Sequence, residues 1–362
     1  LKIEPPGGGD ETRRFPPFVA GESHYFLGIN RNKKSLVIAL QQPAGAELLR
    51  RLAARADIVV ENYRPGVMDR LGLGYERLSA LNPRLIYCAI SGFGLSGPLR
   101  DKPSFDIVTQ ALSGALSING ERGHMPVKLG IPLGDMVGGV FGPIGILAAL
   151  HERAQTGRGR FIDISLYDGL IGMLGYFAQL AFLTGEDPGP MGSSHPNIVP
   201  YGSFPAADGS IIIAVLSESF WGKLCAALER PDLAGDPRFA SPLGRREHRD
   251  EIDEAIAAVT RTRTVAEWQD RLSAHDVPHA PVLGVRAALA HPHALAREMV
   301  VEAPHPAARL PGAAPRRNHR PHGAAPIGTA VRLPVPPVFC RSISGVSRSR
   351  RGLASRLRSV PR

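Results

Sequence analysis

One carboxylate in this sequence stands where it could act as a nucleophile or merely cap a helix. Asp168 lies in FIDISLYDGLIGML, residues 161–174, where alternating apolar and polar residues predict a strand and the apolar run after them predicts a helix. Ser165 and Asp168 have the [ST]-x-x-[DE] spacing of a capping box. These residues alone leave both roles open, and capping is the commoner use of the pattern.

Cysteine and histidine spacing does not predict a metal site or a disulfide framework. The three cysteines are far apart and form no C-x-x-C pair. His275 and His279 have helical spacing, but Pro278 between them argues against a helix. We therefore expect no metal. The cysteine content is typical of a reducing, cytoplasmic compartment.

The positive charge of the chain is concentrated at its carboxyl end. The formal net charge is +10, from 43 Lys and Arg against 33 Asp and Glu. Residues 303–362 hold twelve arginines and no Lys, Asp or Glu, so the first 302 residues are nearly neutral. The Arg-, Pro- and Ser-rich segment 307–362 allows three interpretations: a reading-frame error, a disordered extension or a nucleic-acid-binding arm. We favour the first and expect no nucleic-acid partner.

The apolar run 169–184 is the one membrane candidate that the sequence suggests. It is shorter than a spanning helix requires, contains Gln179 and follows a strand and a cap. No signal peptide is recognisable. We therefore expect a buried helix, a soluble protein and no membrane partner.

Strands alternate with helices over the first half of the chain. The predicted strands are 35–40, 57–63 and one within NPRLIYCAISGFG, and the predicted helices are 44–56, 67–71, 106–116 and 135–156. Gly138, Gly139, Gly142 and Gly145 within the last helix predict the close approach of another backbone. The alternation predicts a parallel sheet in an α/β domain over residues 1–184.

The second half predicts a smaller α+β domain. A Gly-, Pro- and Ser-rich linker spans 185–200, and residues 201–281 show strand, turn, strand and helix patterns. Asp208-Gly209 is the hairpin signal, and Thr264 with Glu267 three residues later predicts a helix cap. Residues 282–306 are expected to return toward the large domain.

Seven segments in order resemble one family: IEPPGGGDETR, GINRNKKSLVIAL, ENYRPGVMDRLGLGYERL, NPRLIYCAISGFGLSGP, LGDMVGG, TGRGRFIDISLYDG and HPNIVPYGSF. They are similar to the class III CoA-transferases, which include formyl-CoA and succinyl-CoA transferases and α-methylacyl-CoA racemases. The resemblance runs to about residue 305. It implies a Rossmann-like large domain, a smaller α+β domain and an interlocked homodimer.

The resemblance also implies the substrates, which are an acyl-CoA thioester and a small carboxylic acid, and it implies no permanently bound cofactor. The family has a first strand and helix before the segment at which this chain starts, and nothing after residue 307 matches it. An inactive, truncated product is therefore an alternative to a working transferase.

The resemblance implies that Asp168 is a nucleophile that forms covalent acyl and CoA intermediates. A carboxylate in the first turn of a helix is favoured by unpaired N–H groups and by the helix dipole. Gly169 is expected to leave room for the acyl and pantetheine groups. The residues expected to bind CoA are Arg31, Asn62, Arg64, Gly92, Phe93 and Gly94, and those expected to shape the acceptor site are His195 and Tyr201.

Several of these residues have structural alternatives. Arg31 could be a solvated loop charge, Asn62 could cap the next helix and Phe93 could belong to the core. Asp135, in LGDMVGG, is expected to be a helix N-cap.

The residue at position 105 helps to distinguish a CoA-transferase from a racemase. Racemases that the chain resembles use a histidine before the aspartate of the motif matching PSFDIV, together with the carboxylate matching Asp135. Here Phe105 takes the histidine place, before Asp106. One of the two bases is therefore missing, and CoA transfer is favoured over a racemase-like isomerisation.

Overall fold

The computed structural model describes residues 1–19, 21–304 and 330–334 and divides into two compact units. The larger unit comprises Leu1–Gly7 and Ser35–Val282, and the smaller comprises Gly8–Lys34 and Leu283–Arg362. Helices and strands alternate in the larger unit, which confirms the predicted α/β class.

The elements up to residue 184 are, in chain order, β1 (Lys2–Glu4), β2 (Phe18–Val19), β3 (Glu22–Ser23), α1 (His24–Ile29), β4 (Ser35–Val37), α2 (Pro43–Ala53), β5 (Ile58–Glu61), α3 (Val67–Arg70), α4 (Tyr75–Leu81), β6 (Ile86–Ser91), α5 (Asp106–Leu112), α6 (Leu133–Thr156), β7 (Phe161–Ser165), α7 (Leu166–Met173) and α8 (Tyr176–Thr184). The strands and helices predicted from the sequence in this range are present, with ends that differ by a few residues, except that the helix expected over 169–184 is divided between α7 and α8.

Three parallel strands in the order β5–β6–β7 form the central sheet. β6 is central and reads IYCAIS, an apolar run typical of a parallel strand that is covered on both faces. Ser91 pairs with Ser165 in the register of β6 and β7. The two strands therefore end together, at the point where α7 begins.

Glycines bring α6 close to the sheet. A Cβ atom built at Gly138 would lie 2.9 Å from Cγ2 of Ile90, and one at Gly145 would lie 3.0 Å from Cγ2 of Ile162. The predicted approach of another backbone is therefore wrong, because the nearest neighbours of Gly138 and Gly145 are side chains of the sheet, and Gly139 has none within 4 Å among the described residues. A larger residue at Gly138 or Gly145 would push the helix away.

α6 is also a membrane-span candidate that the sequence interpretation missed. By length and composition alone it could cross a membrane, a test that a core helix of a soluble protein also passes. The run 169–184 is divided between α7 and α8, which meet at 74° around Gly175. The prediction of a single continuous helix there is wrong, because Gly175 has a positive φ of 55°. The prediction that this helix is buried is wrong for α8, in which no residue is buried.

The remaining elements are β8 (Tyr201–Pro205), β9 (Ser210–Ala214), α9 (Glu218–Leu228), α10 (Pro231–Gly235), α11 (Pro242–Glu247), α12 (Arg249–Thr260), α13 (Val265–Ala274), β10 (His279–Pro281), α14 (Val285–Ala290), α15 (Pro292–Ala296), β11 (Val300–Pro304) and β12 (Ala330–Pro334). β8, β9 and β10 form an antiparallel sheet, and β8 and β9 are joined by the predicted hairpin at Asp208-Gly209.

A separate hydrophobic core lies beneath this second sheet. Its largest side chains are Phe204, Trp221, Phe239 and Trp268, all buried. Strands and helices are thus mixed in this segment as predicted. The predicted limits 201–281 remain a prediction, as do the linker 185–200 and the return segment 282–306.

The smaller unit contains two antiparallel strand pairs, β2 with β3 and β11 with β12. Ser23 caps α1 by accepting the N–H of Phe26 at 3.3 Å. Within the predicted tail 307–362 the structure describes only β12, a strand that the sequence interpretation did not predict. The rest of that segment lies outside the described residues.

Candidate active site

Asp168 occupies the third position of α7, with its side chain exposed. Ser165 is the N-cap residue, and its hydroxyl accepts the backbone N–H of Asp168 at 3.1 Å. The Asp168 carboxylate itself has no hydrogen-bond or ion-pair partner among the described residues. Only one half of the predicted capping box is therefore formed.

The first turn of α7 is tied to the end of β6. The N–H of Tyr167 donates to the carbonyl of Gly92 at 3.0 Å, and the N–H of Asp168 donates to Ser165. The expectation that unpaired N–H groups would favour the charged carboxylate is therefore wrong for these two groups. The helix dipole remains as a favourable term for the anion.

Gly169 does not provide room for a ligand, contrary to expectation. A Cβ atom at this position would lie 2.3 Å from Cγ1 of Val137, a fully buried residue of α6. The missing side chain is required because α7 and α6 pack closely here. Gly169 thus fixes the position of the helix that carries Asp168.

The loop Gly92–Phe93–Gly94 lies against the start of α7. Gly94 has a φ of 77°, and a Cβ atom there would lie 3.4 Å from Cβ of Ser165. Phe93 is only 7 % exposed, and its ring centroid lies 5.9 Å from that of Tyr167. The structure therefore brings this predicted loop together with Asp168, and burial of Phe93 agrees with its core alternative.

Asn62 links two strand ends. Its Nδ2 donates to the carbonyl of Ile90 at 2.6 Å, which ties the end of β5 to the end of β6. The alternative in which Asn62 caps the next helix is wrong, because the N-cap of α3 is Gly66. The Oδ1 atom of Asn62 remains as an acceptor at the edge of the sheet where ligands of open α/β sheets bind.

Arg64 lines a cavity of about 440 Å³ beyond the end of β5. Three carboxylates share the cavity, those of Glu61, Asp69 and Glu76. Burial, with a contribution from nearby Asp69, raises the pKa of Glu61. The rings of Tyr75, Tyr87 and Phe161 form one wall, with centroids 5.1 to 6.0 Å apart. The surroundings of Arg64 suit an uncharged aromatic ring better than a phosphate.

His195 and Tyr201, the predicted acceptor-site residues, lie together. Their ring centroids are 5.5 Å apart, and Tyr176 at the start of α8 stacks on His195 at the same distance. Sequence reasoning missed Tyr176, because only the bend between α7 and α8 brings it to this loop.

Hydrogen bonds determine the tautomer of His195. Its Nδ1 accepts the backbone N–H groups of Asn197 at 3.1 Å and Ile198 at 3.2 Å, so the ring proton is on Nε2. Burial, together with the charge of Arg249, lowers the pKa of His195. His195 is thus a neutral ring with an Nε2–H that can donate to an anion.

Arg31 lies in the smaller unit, two residues after the end of α1, and is half-buried. Its predicted contact with CoA remains a prediction.

The N-terminus of α6 is capped from another helix. Asp106 of α5 is buried, and its Oδ1 accepts the N–H of Gly134 at 2.8 Å. The prediction that Asp135 is the N-cap is wrong, because Asp135 is the third residue of α6. Partial desolvation, followed by the charge of Asp106, raises the pKa of Asp135. Phe105, in the place of the racemase histidine, is 80 % exposed.

Comparisons with known proteins agree on one family. The model of CoA-transferase family III matches residues 1–328. The expectation that the resemblance ends near residue 305 is therefore wrong. The acetyl-CoA:oxalate CoA-transferase of Acetobacter aceti is 38% identical over 303 residues, which cover 83% of this chain and 78% of that protein. The human succinyl-CoA:glutarate CoA-transferase is 33% identical over 307 residues, 84% of this chain and 70% of that protein.

A solved structure supports the same assignment. The crystal structure of a CaiB/BaiF family protein from Brucella suis is similar with a TM-score of 0.75 and 36% identity, covering 83% of this chain and 81% of that one. The fold, the ordered segments around Asp168 and these relatives lead to one conclusion. The chain belongs to the class III CoA-transferase family.

Proposed function

We propose that this protein moves CoA from an acyl-CoA to a small carboxylic acid through covalent intermediates on Asp168. The observation that carries the proposal is the state of the Asp168 carboxylate. It is exposed, has no partner among the described residues, and stands on a helix turn held by Ser165 and Gly92. A nucleophile needs both properties, a free attacking atom and a fixed position.

The reaction is a series of acyl transfers. The carboxylate oxygen of Asp168 attacks the thioester carbonyl of the donor, the C–S bond breaks, and an aspartyl-acyl anhydride and CoA thiolate result. The thiolate attacks the aspartyl carbonyl and releases the donor acid, leaving an aspartyl-CoA thioester. The acceptor carboxylate then attacks this thioester and expels the thiolate, which gives a second aspartyl-acyl anhydride. The thiolate attacks the acceptor acyl carbonyl of this anhydride, forms the new acyl-CoA and frees the Asp168 carboxylate.

CoA is proposed to bind at the carboxyl ends of β5 and β6. The Oδ1 atom of Asn62, the backbone of Gly92 and Gly94, and the aromatic cavity beside Arg64 support this location. Arg31 is proposed as a contact for the CoA phosphates, since a guanidinium fork suits phosphate oxygens. CoA is a substrate in this scheme and is not held permanently.

The acceptor is proposed to be a small carboxylate, with a dicarboxylate such as succinate as the first choice. His195 supports this, because its Nε2–H can donate to a carboxylate oxygen, and Tyr201 lies beside it. Relatives are named for oxalate and glutarate, which are both dicarboxylates.

We further propose that the enzyme acts as a homodimer in the cytoplasm. Apolar side chains of α6 that do not face the sheet are exposed, among them Met136, Ile144 and Leu147. A second copy of the chain that covered them would remove this apolar surface from water. Cys88 and Cys225 are buried free thiols, in agreement with a reducing compartment.

The decisive experiment is mass spectrometry after incubation with succinyl-CoA and trapping with hydroxylamine or borohydride. With hydroxylamine we expect an aspartyl hydroxamate at position 168, and with borohydride the alcohol formed by reduction of the aspartyl-CoA thioester. Neither product is expected in Asp168→Asn. Absence of any adduct from a folded protein that binds CoA would refute the covalent mechanism.

The racemase alternative is disfavoured by the exposed phenyl ring at Phe105, which cannot accept a proton. We expect no exchange of the α-proton of a 2-methylacyl-CoA in deuterated water. Deuterium incorporation at a rate comparable with CoA transfer would reverse the choice.

A further inference from the structure

Two buried arginines reach the same short segment of chain. Arg245 of α11 donates from Nε to the carbonyl of Val199 at 3.1 Å. Arg249, one turn further along, donates from Nη2 to the carbonyls of His195 at 2.7 Å and Pro196 at 3.0 Å. The segment 195–199 is therefore held at both ends by guanidinium groups.

The two arginines differ in how their charges are compensated. Arg245 forms a bidentate ion pair with Glu218 at 2.6 and 3.0 Å and also donates to the carbonyl of Phe239. Arg249 is 8 % exposed, and its Nη1 is buried without a hydrogen-bond partner among the described residues. Among the acidic side chains near Arg249, Asp253 contributes most to stabilising the charged guanidinium.

A buried arginine with an unused donor is costly, because its charge has lost water without a full set of partners. An apolar residue at position 249 would remove this cost. The guanidinium contacts the carbonyls of His195 and Pro196. The conformation of this segment therefore depends on Arg249.

The conformation of the segment decides which nitrogen of His195 carries the proton. Nδ1 accepts N–H groups from Asn197 and Ile198 only while the chain turns back on itself. Stacking of the ring on Tyr176, and the bond from the N–H of His195 to the carbonyl of Tyr201 at 3.1 Å, complete the arrangement.

We propose that Arg249 is a positioning residue that holds the turn after His195, so that the imidazole presents Nε2–H to the acceptor carboxylate. The proposal rests on the function proposed above. Arg249 does not touch the substrate in this scheme. It acts on the acceptor half of the reaction and leaves attack of Asp168 on the donor thioester unchanged.

The first test separates the two halves of the reaction in Arg249→Met and Arg249→Lys. Arg249→Met is expected to raise KM for the acceptor acid about tenfold or more while the rate of adduct formation at Asp168 stays within about twofold. Arg249→Lys keeps a charged donor and should recover part of the loss.

Arg153→Met is the matched control. Arg153 of α6 is also a buried arginine that donates to two backbone carbonyls, those of Asp57 at 3.2 Å and Arg84 at 3.0 Å. Its loss should lower Tm and leave the acceptor KM unchanged. An acceptor KM in Arg249→Met within about twofold of wild type, or a loss shared equally by both half-reactions, would overturn the proposal.

A second measurement does not depend on activity. Long-range ¹H–¹⁵N spectra of protein labelled at histidine, with His195→Gln to assign the signal, report the tautomer. We expect an Nε2–H ring in wild type and Arg153→Met, and a mixture of tautomers in Arg249→Met. An unchanged tautomer in Arg249→Met would contradict the proposal. If wild type forms no adduct at Asp168, the proposed function fails, and this spectrum alone decides the role of Arg249.

Discussion

α7 and α13 both start with a hydroxyl residue followed three positions later by a carboxylate, Ser165 with Asp168 and Thr264 with Glu267. At α13 the box is closed. Glu267 accepts the N–H of Thr264 at 2.8 Å and its hydroxyl at 2.7 Å, while Thr264 accepts the N–H of Glu267 at 3.3 Å. At α7 only the bond from Asp168 N–H to Ser165 is present.

Two physical differences separate these helix starts. Aspartate is one methylene shorter than glutamate and reaches back less easily to the cap residue. Ser165 is also the last residue of β7, where its backbone is paired with Ser91 of β6. The same sequence pattern therefore produces a satisfied cap in one place and a free carboxylate at the edge of a parallel sheet in the other.

Replacing each carboxylate in turn should show the largest difference between the two helix starts. Asp168→Asn keeps the shape of the side chain and is expected to lower CoA transfer at least about 10³-fold, because the attacking oxygen is lost. Glu267→Gln should leave the transfer rate unchanged. Initial rates with succinyl-CoA, together with circular dichroism to confirm folding, check both. Comparable rates for Asp168→Asn and wild type would make Asp168 a structural residue.

Local patterns allowed most of the secondary structure to be predicted. Alternation predicted β7, and the cap at Thr264 was predicted from its spacing alone, because both depend on residues close in sequence. The bend at Gly175 was not predicted, since glycine is compatible with a helix and only its positive φ ends it.

The features that sequence reasoning missed join residues distant in the chain. Asp106 caps α6 from α5, Tyr176 stacks on His195, and Arg249 holds the segment after it. No local signal encodes such contacts, because they depend on how elements pack. The nucleophile could be proposed from the sequence through the family resemblance, but the groups that position the acceptor site could not.

The residue after each carboxylate extends the comparison. Gly169 follows Asp168 and lies against Val137, whereas the bulky Trp268 follows Glu267 and is itself buried. Gly169→Ala should destabilise the protein by about 1–3 kcal/mol, because the new Cβ overlaps Val137 and forces α7 away from α6. CoA transfer should fall with it. Thermal unfolding and initial rates provide the measurement.

Gly172→Ala is the control on the same helix. No atom of the described residues lies within 4 Å of a Cβ built at Gly172, so alanine there should be neutral or stabilising by up to about 1 kcal/mol. Equal changes in stability for both substitutions would contradict the prediction, because they would show that contact with Val137 does not set the effect of a Cβ on α7.

Removing the cap hydroxyls should produce a smaller effect that differs in kind between the helices. Ser165→Ala and Thr264→Ala should each cost about 1 kcal/mol of unfolding free energy, because each leaves a first-turn N–H without its acceptor. Only Ser165→Ala should also lower CoA transfer, by about tenfold or less, since it loosens the turn that holds Asp168. Chemical denaturation and initial rates distinguish the two. A loss of transfer in Thr264→Ala would contradict this division.

The smallest effect concerns the pH dependence of the closed box. Hydrogen bonds from the backbone N–H of Thr264, and then from its hydroxyl, lower the pKa of Glu267. A carboxyl whose pKa is lower in the folded protein contributes stability above its unfolded pKa, and this contribution is lost as pH falls through the folded pKa. The Tm difference between wild type and Glu267→Gln should therefore be greatest near neutral pH and should shrink in acid. Subtracting the two Tm curves cancels every titrating group that the proteins share. A difference that stayed constant with pH would mean that the box does not depend on the charge of Glu267, and the contrast with the free carboxylate of Asp168 would then rest on geometry alone.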